Sequence, residues 1–212
     1  MRLSSIVLAG GKSSRMGRDK ALISIQGVPL LQLVCRIAAS CADTVYVVTP
    51  WQERYQHLLP STVQFIKEVP LSGETDSEQL GHGPIIGFAQ ALAYVQTDWV
   101  LLLACDLPKL RVEVLQEWAT ALDSVEDEAI CAQRSSEAIA ALVPQAKGWE
   151  PLCGFYRRRC LPSLVEYINR GGRSFQEWLK QHPVQALSLP DPEMLFNCNT
   201  QEDLFRFQSQ VQ

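Results

Sequence analysis

A chain of 212 residues, 47% hydrophobic and 20% charged, has the size and apolar content of one globular domain with a sizeable core. Its formal net charge of −4 excludes broad, sequence-independent nucleic-acid binding, which needs a basic face. Seven cysteines without a C-x-x-C pair and three separated histidines, His57, His82 and His182, make neither a disulfide framework nor a zinc set.

In chain order, Leu3–Ala9 reads as a first strand that runs into the loop "LAGGKSSRMGRDK" (8–20). Adjacent Gly10 and Gly11 let backbone N–H groups come close to a ligand. Lys12, Arg15, Arg18 and Lys20 then place four positive charges within nine positions of an acidic chain. A small anionic ligand suits such a loop, and so does a tight turn with a solvated basic surface. Pro29 opens a helix with Leu30, Leu31, Val34, Ile37 and Ala38 at helical spacing. "TVYVVT" (44–49) and "VQFI" (63–66) read as strands. The acidic, aperiodic segment 71–82 reads as a loop. "GPIIGFAQALAYV" (83–95), apolar on nearly every face, predicts a buried helix. "DWVLLLACD" (98–106) predicts a strand inside a parallel sheet.

Val112, Leu115, Trp118, Ala119 and Leu122 mark the next helix, and "EAICA" (128–132) and "AIAALV" (138–143) two further strands. Helices follow at Leu161–Ile168, after a Ser174/Glu177 capping box, and after Thr200/Asp203. The alternation predicts a single α/β domain over 1–212, with a largely parallel sheet and right-handed crossovers. The short N-terminal apolar run and the lack of any bilayer-length segment predict a cytoplasmic protein without membrane contact. The cysteine usage fits a reducing compartment.

In such sheets, ligands bind beyond the carboxyl ends of the strands, where the glycine loop lies. G-x-G-x-x-G fails because Lys12 follows Gly11. The P-loop pattern fails because Arg15 and Met16 stand five residues after Gly10 and Gly11. Arg15 and Lys20 can still neutralise a polyphosphate, one as a planar fork and the other as a point charge. Asp106, directly after the most apolar strand, is a hard oxygen ligand for Mg²⁺ or a helix cap before Pro108.

The loop closely resembles the L-A-G-G-x-S-x-R-M-G-x-D-K signature of nucleotidyltransferases, in particular the molybdenum cofactor guanylyltransferase family. "GPIIG" (83–87), "CDLP" (105–108), "PLCGFYRRRCLP" (151–162) and "NCNTQEDL" (197–204) resemble further family segments. Gly154, Gln201 and Glu68 depart from the usual alanine, proline and aspartate. The resemblance implies a Rossmann-like three-layer fold and transfer of GMP from GTP to the terminal phosphate of molybdopterin, with or without its molybdenum. It further implies Mg²⁺ as cofactor, and other cofactor-biosynthesis proteins and apo-molybdoenzymes as partners.

By the same resemblance Lys20, Arg15 and Asp106 are catalytic. Leu8, Ala9, Gly10, Gly11, Thr49 and Glu68 join Lys20 and Asp106 around the nucleotide. Asp106 and Asn199 hold the metal, while Asn197 and Asn199 meet the acceptor within a C-terminal part from about residue 107. Arg173, in "RGGRS" (170–174), runs into a helix N-terminus and is expected at the acceptor phosphate, although a C-cap explains Gly171 and Gly172 equally. Asp19 is expected to orient Lys20, and Arg18 to be a solvated neighbour. Gly10 favours guanylyl over cytidylyl transfer, because cytidylyl relatives carry alanine there. A related cytidylyl or sugar-phosphate transferase is one alternative, and a non-catalytic nucleotide-binding module is another.

Overall fold

The computed structural model describes residues 2–10, 19–69, 83–124, 137–198 and 200–210. Strand β1 (Leu3–Leu8) pairs in parallel with β4 (Thr44–Thr49) on one side and β6 (Trp99–Ala104) on the other. Alternate residues therefore face opposite layers. Val7, Leu101 and Leu103 join one core cluster, and Ile6, Val100 and Leu102 the other. All six residues of β6 are buried, the expected state of a strand covered on both faces.

The seven-stranded sheet has the order β5-β4-β1-β6-β8-β7-β9, with β5 at Gln64–Lys67, β7 at Ala140–Gln145, β8 at Gly148–Arg157 and β9 at Val184–Ala186. Only β8 runs against the others, pairing antiparallel with both β6 and β7. The sheet is mostly parallel, as expected, and β6 is its central strand, but it has a parallel neighbour, β1, on one side only, since β8 flanks it on the other. The sequence reading assigns no element to 148–157, where the ten-residue β8 lies. The expected strand at 128–132 falls outside the described residues.

Helices α1 (Leu30–Cys41) and α4 (Val112–Ser124) cover the Val7 face. Helices α3 (Pro84–Leu92), α5 (Leu161–Asn169) and α6 (Phe175–Leu179) cover the Ile6 face. A one-turn helix, α2 (Gln52–Tyr55), follows β4. The result is a three-layer α/β sandwich.

Two small strands, β2 (Ser24–Ile25) and β3 (Val28–Pro29), form a hairpin through Gln26 and Gly27, both at positive φ (49° and 83°). That is the two-residue turn whose twist suits a hairpin. Ile23, Ile25 and Leu30 pack with Cys198 and with Phe207 of the last helix, α7 (Gln201–Gln210). The Thr200 hydroxyl accepts from Asp203 N at 3.1 Å, and the Asp203 carboxylate accepts from Thr200 N at 2.8 Å. That reciprocal cap starts α7. Among the described residues, no helix is long and apolar enough to cross a membrane.

Candidate active site

The chain leaves β1 for β4 on one side of the sheet and later returns to β6 on the other. The crevice beyond the carboxyl ends of β1 and β6 is thus a topological switch point, the usual ligand position in an open α/β sheet. A cavity of about 300 Å³ occupies it. Its walls are Leu8–Gly10 after β1, Ala104–Asp106 after β6, Asp19–Ala21, Glu68, and the start of α3.

Lys20 begins a single 3-10 turn (Lys20–Leu22) whose cap is Asp19. The Asp19 carboxylate accepts from Ala21 N at 3.1 Å and from the Tyr55 hydroxyl at 2.6 Å. Tyr55 is fully buried, and burial, followed by the Asp19 contact, pushes its phenol well above the ordinary value. The hydroxyl therefore stays protonated and serves as a permanent donor. Held this way, the turn aims Lys20 Nζ to 3.2 Å from Asp106 Oδ2. The two side chains retain 23% and 18% exposure, so both remain accessible from the cavity.

Asp106 is fixed through its backbone. Cys105 N donates to Leu8 O at 3.2 Å, and Cys198 N to Asp106 O at 3.0 Å. Burial, and next the Asp106 charge, drive the Cys105 thiol far above its normal range, so it is an inert neighbour.

On the opposite wall, Glu68 is 8% exposed and its N–H donates to Thr49 O at 3.1 Å. Its Oε2 stands 2.5 Å from the place a Cβ on Gly10 would occupy, and 3.6 Å from the equivalent point on Gly87. Glycine at position 10 is what lets a long carboxylate fold over this backbone. Gly83, at φ 90°, turns the chain into α3, and Gly83, Pro84 and Gly87 place the start of that helix on the cavity wall.

The structure brings together Leu8, Ala9, Gly10, Lys20, Glu68 and Asp106. Thr49 is fully buried, its hydroxyl accepting from Trp51 N at 3.1 Å, and it does not line the cavity. Asn197 donates to Leu195 O at 3.3 Å and borders a neighbouring cavity. Arg173 donates to the carbonyls of Ile168 and Gly172 at 3.0 and 2.9 Å, at the end of α5, and lines neither cavity. Gly171, at φ 89°, has the left-handed conformation of a C-cap. Gly11, Arg15, Arg18, Asn199 and the loop 71–82 lie outside the described residues. The sequence reading assigned no role to Val48, Gly87, Leu152 or Tyr55. A lone tyrosine 36 positions from Asp19 carries no local signal of its bond to it.

The model of the MobA-like NTP transferase domain matches residues 5–186. A probable molybdenum cofactor guanylyltransferase from Nostoc sp. is 66% identical over 202 residues, which cover 95% of this chain and 88% of that relative. One from Synechococcus elongatus is 40% identical, covering 96% of both chains. Among solved structures, molybdopterin-guanine dinucleotide biosynthesis protein A from Archaeoglobus fulgidus superposes with a TM-score of 0.72 at 21% identity, over 98% of each chain. A 4-diphosphocytidyl-2C-methyl-D-erythritol synthase from Anaerococcus prevotii reaches 0.70 at 10% identity, covering 99% of this chain and 96% of that one, so the fold spans more than one chemistry. With the Lys20–Asp106 pair seated at the switch point of that fold, the chain belongs to the MobA-like NTP transferase domain family.

Proposed function

We infer that the protein is a nucleotidyltransferase that moves the GMP unit of GTP onto the terminal phosphate of molybdopterin and releases pyrophosphate. The observation that carries this is the Lys20–Asp106 pair, 3.2 Å apart, on the same cavity as the Gly10 backbone and the Glu68 carboxylate. Relatives at 66% and 40% identity bear the guanylyltransferase name.

The attacking group is a phosphate whose second pKa is about 6, so it is largely ionised near neutral pH and needs no general base. Its oxygen bonds to the α-phosphorus as the bond to the pyrophosphate oxygen breaks. The protein's work is to align these atoms and to meet the charge that develops. Lys20 brings a point charge to the phosphates, and Arg15 adds a second cation from the same loop. Asp106 supplies one hard carboxylate. Among the described residues there is no group of three His, Cys, Asp or Glu side chains that would cage a metal. A single carboxylate fits Mg²⁺, which keeps waters and binds mainly through substrate phosphates. Asp106, with Asn199, would hold the ion, which would supply neutralisation of phosphate charge.

The base is read beside Leu8–Gly10. Guanine presents an N1–H and a 2-amino group on one edge, and the Glu68 carboxylate accepts from both. Cytosine presents acceptors at O2 and N3 there and is repelled. Pyrophosphate release measured with GTP, CTP, ATP and UTP, each with and without molybdopterin, tests the reading. Turnover is expected only with the acceptor, and at least about tenfold faster with GTP than with CTP, the scale of one lost polar pairing. Equal rates for GTP and CTP would refute guanylyl specificity.

A further inference from the structure

Beyond Leu152, which borders the nucleotide cavity, the chain reaches Glu150 on the wall of a second cavity of about 560 Å³. The two spaces are joined by backbone. Cys198 N is bonded to Asp106 O, and Asn197, next in the chain, lines the second cavity. Glu150 Oε1 accepts from Leu152 N at 3.2 Å, which fixes the carboxylate by one oxygen. Val143, Pro144, Leu187, Pro192 and Leu195 give the walls apolar surface of the kind that buries a ring. Burial, opposed by the Leu152 bond and reinforced by the Asp106 charge, raises the Glu150 carboxyl above its ordinary value. A carboxylate placed at such cost gains most from a partner that offers two N–H donors.

We propose that this second cavity receives the acceptor's bicyclic ring and that Glu150 reads its 2-amino-4-oxo-pyrimidine edge, accepting from the ring N–H and the exocyclic amine. The inference rests on the guanylyltransferase reading, which makes a pterin the acceptor and places its phosphate at Asp106. Guanine and pterin carry the same donor edge. Glu68 and Glu150 thus perform the same recognition on the two sides of the reacting phosphates, and Glu150 is the residue that decides which ring is accepted.

The test compares binding of a 6-substituted pterin phosphate with its lumazine counterpart, in which a carbonyl replaces the 2-amino group. The wild-type protein is expected to prefer the pterin by on the order of tenfold or more, the scale of a hydrogen bond to a charged group. Glu150→Gln presents one acceptor and one donor, matching the lumazine edge, so the preference should reverse while GTP affinity stays at the wild-type level. The preserved GTP affinity reports an intact fold, and the wild-type comparison needs no variant at all. Equal wild-type affinities for the two rings overturn the proposal even if GMP transfer to molybdopterin is observed. If the ring preference and its reversal are found but no GMP transfer is seen, the inference on Glu150 stands and the reaction assignment fails.

Discussion

Lys20 shows how much a single position depends on neighbours that sequence spacing does not display. Its ammonium reaches Asp106 because Asp19 caps the turn and Tyr55, from the β4–β5 connection, clamps Asp19 at 2.6 Å. A charge prepositioned in this way stabilises the transition state without reorganising. Lys20→Ala is therefore expected to lower kcat by on the order of 10², a scale typical of a lost electrostatic stabiliser. GTP affinity should fall by less, because ground-state binding is shared with the base contacts and the bound cation. Single-turnover rates set beside equilibrium GTP binding would separate the two effects. A weakened GTP affinity with an unchanged single-turnover rate would make Lys20 a ground-state binder only. That Lys20 and Asp106 lie at one edge of the sheet was legible in the sequence, since the residues that follow parallel strands share its carboxyl edge; that they meet depends on β1 and β6 being neighbours. The contribution of Tyr55 was not, because it depends on two segments meeting in space.

At the scale of elements, β8 is the strand that pattern reading missed. Its first half, Gly148 to Leu152, carries a glycine, a glutamate and Pro151, none of which favours a strand interior. Those residues extend past the end of β6, which pairs only with Cys153–Arg157, so Pro151 removes no hydrogen bond on that side. Near the same level the β7–β8 register shifts between Leu142 and Pro144. Gly154 sits against this irregularity. A Cβ there would stand 2.7 Å from the Ala141 carbonyl oxygen and 2.6 Å from Leu142 Cδ2. The backbone oxygen cannot swing aside. Gly154→Ala is accordingly expected to destabilise the fold by about 1–3 kcal/mol, the usual cost of overpacking. That corresponds to about 2–4 °C of Tm per kcal/mol at this size, readable by calorimetry. An unchanged Tm would mean that β7 yields at this level. The alanine expected from the family segment looks harmless when the motif is read alone; the local approach of β7 is what makes glycine fit here.

For the whole molecule, the C-terminal helix closes on the N-terminal half. Phe207 of α7 packs on Ile23, Ile25 and Leu30, directly after the turn that carries Lys20. Phe207→Ala is expected to cost about 3 kcal/mol through the cavity it leaves. It should also weaken GTP binding, since the Lys20 turn and the Cys198–Asp106 contact both lose their backing. A denaturant titration and GTP binding, measured on one preparation, check both effects. A stability loss with unaltered GTP affinity would show that the hairpin keeps Lys20 in place unaided.

From the sequence alone followed the α/β class, the buried β6, the glycine loop at a strand end and the family to which these residues point. The first three are written in local periodicity and spacing, which depend only on the geometry of a strand or a helix, while the family rests on the resemblance of the loop and its companion motifs. Tertiary structure alone decided the antiparallel insertion of β8, the folding of Glu68 over Gly10, the Tyr55–Asp19 clamp and the arrival of Glu150 beside the Asn197 segment. All four join residues far apart in the chain. Their partners are chosen by the order in which strands enter the sheet and by the volume left between packed layers, and neither quantity is encoded in any single segment.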